Sequence, residues 1–417
     1  MRASIANLSP ASNVIRQLTG DGWLLFATRF VRLFAYGSLS VVLVFYLVGV
    51  GLSEAQTGLL LSLTLVGDTA VSLFLTTQAD RLGRRRMLIA GAALMTIAGV
   101  VFAASQTFWI LLLAGIVGVI SPSGQEVGPF LPIEQASLSQ VVSDRTRTRV
   151  LAWYTLLGSL AAAIGALTAG VITQVLQSAS KPNGYRTVVI FYAALGIALA
   201  ILFSRLSDAI EAKSADETAG MPVGFSGLRE SRAVVTKLSA LFALDSFGGG
   251  FVVQSFAAYW FYLRFGVDPA ALGAIFFWAN VLAGFSALVA ARLAARFGLI
   301  RTMVFTHLPS NVLLLLIPLM PTLPLAILVL LARFSISQMD VPARQSYIMA
   351  AVSPRERSAA AGIAGVARTT GAAISPFFVG LMFARPSLIN VPFFIAGSVK
   401  IVYDLLLYRM FAKAEMT

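Results

Sequence analysis

LPIEQASLSQVVSDRTR (131–147) and VPARQSYIMAAVSPRER (341–357) align without a gap at a shift of 210 residues. The register pairs Pro132 with Pro342, Gln135 with Gln345, Val142 with Val352 and Ser143 with Ser353. It also pairs Arg145 with Arg355 and Arg147 with Arg357, and it runs on through Ile164/Ile374 to Gly170/Gly380. Earlier segments align at a shift of 215–216: FATRF (26–30) with FALDS (242–246), FYL (45–47) with FYL (261–263), and ADRLGRRR (79–86) with AARFGLIR (294–301). Pro, Gln, Ser and two Arg in register across one loop make a repeat rather than a coincidence of composition. The chain is therefore two related halves in parallel, an arrangement that commonly encloses a site near the bilayer midplane.

Working outward from the repeated loops, the flanking runs are too long and too apolar for soluble helices or barrel strands. A membrane-crossing helix needs about 20 apolar residues, and only helices and closed barrels satisfy their backbone within lipid. The runs predict twelve helices, near 22–49, 55–79, 87–104, 108–135, 149–177 and 186–206, then 237–264, 270–295, 302–320, 324–350, 358–384 and 389–410. The fold expected is all-α and polytopic, with bundles of six helices at 1–206 and 237–417 joined by a polar linker at 207–236.

Composition agrees. Over 417 residues, 58% are hydrophobic and 12% charged, about half the charge of a soluble domain. With no Cys and a single His, His307, thiolate or His-based metal clusters, Cys nucleophiles and Ser–His–Asp triads are excluded, and no cofactor or enzymatic activity is expected. The net charge of +13 raises the question of a nucleic-acid partner, which the placement of the charges answers. DRLGRRR (80–86), SDRTRTR (143–149), the linker, RFGLIR (296–301) and SPRERS (353–358) fall on one side and hold about 20 of the 31 basic residues. The other side holds about four: Lys181, Arg186, Arg264 and Arg385. By the positive-inside rule both termini face the cytoplasm. The polar first twenty residues read as a retained tail rather than a cleaved signal.

ADRLGRRRML (79–88), between the second and third helices, resembles the loop motif of the major facilitator superfamily, G-x-x-x-D-R-x-G-R-[RK]-x. ARLAARFGLIR (291–301) is its degenerate echo in the second half. The resemblance covers essentially the whole chain and implies alternating access, usually coupled to a proton or another gradient. The chain departs from the pattern in three places. Thr76 stands at the motif's first Gly. GSLAAAIGALTAG (158–170) has the glycines but not the Pro of an antiporter-type fifth helix. The fourth helix carries Glu126 in place of an Arg motif.

Charges inside the hydrocarbon zone cost at least ~2.5–3.5 kcal/mol each near the centre and mark functional positions. The acids expected there are Asp68, Glu126, Glu134, Asp245, Asp340 and Asp404; the bases are Arg29, Arg32, Arg292, Arg333, Arg344, Arg368 and Lys400. Asp68 lies about thirteen residues into its helix, roughly 20 Å from the outer end at 1.5 Å per residue. With no other charge near it on that helix, it is the first candidate for proton coupling. Arg29 and Asp245 are pseudo-equivalent, and a cross-half pair between them would close the inner gate; the alternatives are pairing within each half, or an anionic substrate group on Arg29 and Arg32. Asp340 is expected to lock onto Arg344 or Arg368, and Lys400 to neutralise Asp404 at i+4. His307 is expected in a peripheral helix. By the resemblance, Asp80, Arg81, Gly83, Arg84 and Arg85 form a cytoplasmic latch. Asp80 would meet the N-terminus of the eleventh helix, and the arginines would hold acids near Glu134 and Asp144; Arg344 belongs to the same gate.

The function expected is secondary active transport of a small organic molecule across the cytoplasmic membrane, with proton coupling and with efflux slightly favoured. The alternative is an uptake symporter for a nutrient or organic anion. The partners expected are a small-molecule substrate and the lipid bilayer, with the chain as a monomer and no nucleic acid.

Overall fold

The computed structural model describes residues 18–124, 128–142, 144–177, 183–211, 231–353 and 356–412. Its first half contains α1 (Gly20–Gly49), α2 (Glu54–Leu82), α3 (Arg84–Ala104), α4 (Phe108–Val117), α5 (Phe130–Val141), α6 (Asp144–Gln177) and α7 (Asn183–Ser204). The second contains α8 (Arg232–Gly250), α9 (Gln254–Phe265), α10 (Pro269–Phe297), α11 (Leu299–Leu316), α12 (Leu323–Phe334), α13 (Asp340–Ala351), α14 (Arg357–Phe383) and α15 (Val391–Phe411). All twelve expected spans are present. Ten helical segments are long and apolar enough to cross a membrane.

The other two spans are each broken into two helices, α4 with α5 and α12 with α13. This corrects the continuous helices expected at 108–135 and 324–350. The breaks are pseudo-equivalent, since α5 and α13 occupy 130–141 and 340–351, 210 residues apart. The seventh span also breaks, at Phe251–Val253 after Gly248-Gly249-Gly250. Glycine weakens a helix interior by about 1 kcal/mol per residue, so three in succession are a natural stop.

Each turn has a local cause. Ser53 and Gln56 form a capping box at the start of α2. Asp268 caps α10, whose first residue is Pro269. Gly83, at φ +102°, ends α2 and begins α3, and Gly298, at φ +90°, does the same between α10 and α11, a backbone conformation that only glycine adopts without strain. Both lie in the repeated basic loop.

α1 is the most enclosed span, and its residues from Leu33 to Leu47 are almost all buried. Trp109, Val175, Phe305 and Leu328 instead turn large apolar side chains outward, as helices facing lipid do. The loops 80–86 and 296–301, with Ser353 and Glu356, share one end of the molecule, called here the basic end; the opposite end is the far end.

The two halves meet toward the far end. α2 crosses α14 at Gly58 and Gly380, where a Cβ on Gly58 would lie 2.8 Å from Gly380 Cα. α6 crosses α10 at Gly170 and Gly273, where a Cβ on Gly170 would lie 2.9 Å from Gly273 Cα. The two crossings are related by the repeat, because Gly58 maps to Gly273 and Gly170 to Gly380. Polar contacts seal the same end. Gln254 Nε2 donates to Ser40 Oγ at 2.8 Å, Ser255 N to the Pro122 carbonyl at 3.1 Å, Tyr259 Oη to Glu54 Oε1 at 3.2 Å, and Phe377 N to Ser62 Oγ at 2.8 Å. At mid-depth, Gly284 lies against Ser159 and Leu156. Beyond it toward the basic end, Gly362 and Gly365 of α14 look onto open space and Thr369 and Thr370 are exposed. The described contacts between the halves thus lie at mid-depth and toward the far end, and α14 faces open space toward the basic end.

Candidate functional site

Charged side chains gather at mid-depth in each half. In the first, Arg32 and Glu134 form a two-pronged pair, Nη1 to Oε1 at 2.7 Å and Nη2 to Oε2 at 2.6 Å, with both side chains 0% exposed. Thr28 Oγ1 donates to Glu134 Oε1 at 2.7 Å and Tyr154 Oη donates to Oε2. Arg32 also lies 4.9 Å from the Phe130 ring. Guanidinium and carboxylate match geometrically, and the added hydrogen bonds satisfy the remaining lone pairs, which a buried pair needs to offset desolvation. Arg29 rests 4.9 Å over the Tyr154 ring, in space left by Gly158, whose Cβ would lie 2.6 Å from Arg29 Nε.

The second half carries the same device with the charges exchanged. Asp245 of α8 accepts from Arg344 of α13 at 3.1 Å and from Lys400 of α15 at 2.6 Å. Arg344 also meets Asp340 at 3.3 Å, one turn away. Asp404 accepts from Asn311 at 2.9 Å and lies 2.8 Å from His307 Nδ1; His307 Nε2 faces Asp245 at 3.6 Å. Gly248 and Gly249 open the wall of α8 to Lys400, whose Cγ and Nζ would stand 3.0 and 3.6 Å from Cβ atoms there. Arg333 and Arg368 are half-buried at the edge of this cluster and make no hydrogen bond or ion pair to a described residue; their Nε atoms are buried without a partner.

Several sequence expectations need correcting. Arg29 and Asp245 do not pair across the halves: Asp245 is taken by Arg344 and Lys400 of its own half, and Arg29 lies over Tyr154. Lys400 does not neutralise Asp404: Lys400 goes to α8 and Asp404 to α11. His307, expected to be peripheral, is buried between two carboxylates. The Asp340–Arg344 lock is present, and Arg368 stands outside it. Asp68 is buried, and its Oδ2 accepts from Gly128 N at 3.0 Å, so it holds the backbone where the fourth span resumes. Glu126 lies outside the described residues.

The basic loop is also wired differently from expectation. Asp80 pairs with Arg84 at 2.8 Å rather than with α14, and Glu134 is taken by Arg32. Arg84 reaches Gln140 at 2.8 Å and the Ile210 carbonyl at 3.0 Å. The first amides of α3, at Arg84 and Arg85, donate to Glu211 at 2.6 and 3.2 Å, which places a carboxylate on a helix N-terminus. Arg85 bonds the Leu206 carbonyl at 2.9 Å and meets Asp208 at 3.5 Å, whereas Arg81 is exposed. The loop thus clamps the start of the linker to the first half. Ser231 and Glu356, bonded at 2.9 Å, clamp its end to the second; residues 212–230 lie outside the description.

The sequence signals for the missed residues were present but indirect. Gly248-Gly249 marks the room that Lys400 needs, and Asn311 follows His307 at i+4 on the same face. Among the described residues no group of three or more His, Asp or Glu could hold a metal ion.

Three comparisons bear on this arrangement. A family model described as Major Facilitator Superfamily matches residues 25–332. The uncharacterized membrane protein YJR124C of Saccharomyces cerevisiae is 32% identical over 418 residues, covering 93% of each chain. Among solved structures, a bacterial homolog of the human lysosomal transporter Spinster, inward-facing and unoccupied, superposes with a TM-score of 0.76 at 17% identity over 99% of this chain and all of that one. The nucleoside transporter NupG gives 0.72 at 13% identity over 94% and 99%, and a D-xylose-proton symporter 0.69 at 15% over 93% and 97%.

Proposed function

This chain belongs to the major facilitator superfamily, and from that premise we propose that it is a secondary active transporter that carries a small organic molecule by alternating access, driven by protons, in the efflux direction. One observation carries the reading. Two pseudo-symmetric halves are joined by paired glycine crossings toward one end, with a buried charge cluster at mid-depth in each half. A solute entering from the basic end would stop at the seal. Rocking the halves about the crossings would exchange the open end. With the basic loops toward the cytoplasm, the conformation described is inward-open, and both termini lie in the cytoplasm.

Arg333 and Arg368 favour a second reading, uptake of an organic anion, because two guanidinium groups without carboxylate partners suit a negatively charged solute. The test compares small-molecule pools inside and outside cells that overproduce the chain, with and without a protonophore. A compound depleted inside by the overproduced chain and restored by the protonophore supports proton-driven efflux. A compound accumulated inside under the same treatment supports the second reading. Pools that differ in neither direction, from a chain shown to be folded in the membrane, would contradict both.

A further inference from the structure

His307 is the only histidine in the chain and sits at the centre of the second-half cluster. Its two nitrogens face two carboxylates, Nδ1 at 2.8 Å from Asp404 and Nε2 at 3.6 Å from Asp245. Its own helix adds Asn311 at 3.1 Å. α15 adds Lys400 and, edge-on at 5.8 Å, the Tyr403 ring; α13 adds Asp340 and Arg344. Arg333 of α12 and Arg368 of α14 stand at the rim. A neutral imidazole has one N–H and one lone pair, so one nitrogen would aim a lone pair at a carboxylate; the imidazolium presents N–H on both sides. Among the groups in direct contact, Asp245, Asp340 and Asp404 against Arg344 and Lys400 leave one negative charge beside the ring, which a protonated His307 cancels. Arg333 and Arg368 at the rim form no ion pair with a described residue, and their Nε atoms are buried without a partner.

We infer that His307 is a proton-binding site of the transport cycle, and that its deprotonation transfers the negative charge it had balanced to the Arg368 guanidinium on α14. The inference rests on the transporter reading and specifies its coupling. The step breaks only the Nε2–H bond: the electron pair stays on nitrogen, the proton passes to water in the opening, and nothing is oxidised. Asp245 and Asp340 then attract Arg368, which is half-buried beside them, against the repulsion of Arg344. α14 also forms the Gly58–Gly380 crossing with α2, so a pull on Arg368 acts on the helix that joins the two halves. An anionic solute on Arg368 would compete for the same guanidinium, which ties the proton to the solute.

The absence of Cys and the single His make the test specific. Spin labels at Arg205→Cys and Arg409→Cys, both exposed at the basic end, report the separation of the halves between about pH 5 and about pH 8.5, the range in which histidine titrates. The purification tag contains no histidine, and 15N-labelled histidine gives one imidazole signal. The distance should shorten as pH rises, with the same midpoint as the imidazole signal. His307→Gln should hold the short distribution at every pH and His307→Lys, with a fixed charge, the long one. A His307→Gln protein that keeps the wild-type pH response would overturn the assignment while leaving proton coupling intact. A wild-type protein with no pH response would remove proton coupling as well. If neither variant folds, the wild-type chain decides alone: an imidazole signal that does not change across the range refutes the site.

Discussion

Arg32 and Glu134 show how far single residues could be read from the sequence. That both lie in spans, and that spans must bury them, followed from their positions in apolar runs. Their mutual pairing did not, because they stand 102 positions apart and the repeat aligned Glu134 with Arg344, a residue of opposite sign. The repeat preserves the place of the charge and exchanges its sign, so pairing by pseudo-equivalence pointed to Arg29–Asp245, whereas Arg29 lies over Tyr154 of the fifth span and Asp245 meets the ninth, tenth and twelfth spans of its own half. Lys400 and Asp404 show the converse: spacing of four puts them on one face, but α15 packs between α8 and α11 and each charge finds a separate partner. Removing one member of a buried pair strands the other, at a cost of about 3–5 kcal/mol. Glu134→Gln should therefore lower the melting temperature in detergent far more than Glu211→Gln, whose carboxylate caps α3 at the surface. The exchange Arg32→Glu with Glu134→Arg should recover part of the loss, because each charge again faces an opposite one; a double variant as unstable as the single would refute that the two charges hold each other.

At the scale of elements, the spans were legible because twenty apolar residues leave little else for a chain to be. The breaks were not, since 108–135 and 324–350 are apolar enough to hide them; only Ser121-Pro122-Ser123-Gly124 and Ser335–Ser337 hint at interruption. Small residues recur every four along the fifth span, at Gly158, Ala162, Ala166 and Gly170, a stripe whose spacing suits close approach. In the structure the stripe divides, with Gly158 making room for Arg29 and Gly170 crossing α10. The crossings give the second prediction. Gly380→Val forces side-chain atoms into the backbone of α2, and overpacking costs about 1–3 kcal/mol. It should loosen the far-end seal and speed maleimide labelling of Ser255→Cys, which is fully buried there, by about tenfold, equivalent to about 1.4 kcal/mol. Gly362→Val, on the same helix but facing open space, should leave the labelling rate unchanged. Equal effects from the two would mean that the crossing does not hold the seal.

For the whole molecule, the repeat and the basic loops revealed two six-span halves and a shared basic end, but nothing in one sequence says which end is open. That depends on a small difference between two packings of the same surfaces, and the glycine crossings and the Gln254–Ser40, Ser255–Pro122 and Tyr259–Glu54 contacts decide it here. The linker, read as a simple connection, is pinned at both ends by the basic loops, so its clamps should matter for movement rather than for folding. Glu211→Ala removes the carboxylate from the α3 N-terminus at a cost of about 0.3–1 kcal/mol, and it should change the open–closed balance while leaving the melting temperature within a few degrees. The central claim is that the two ends open in alternation. Its most direct test measures two distances, one between labels at Arg205→Cys and Arg409→Cys at the basic end and one between labels at Trp109→Cys and Thr322→Cys, both exposed at the far end, as pH is varied in lipid nanodiscs. The account predicts that the populations move in opposite directions, the far end lengthening in the same fraction of molecules in which the basic end shortens. Two distances that stay fixed, or that lengthen together, would contradict it.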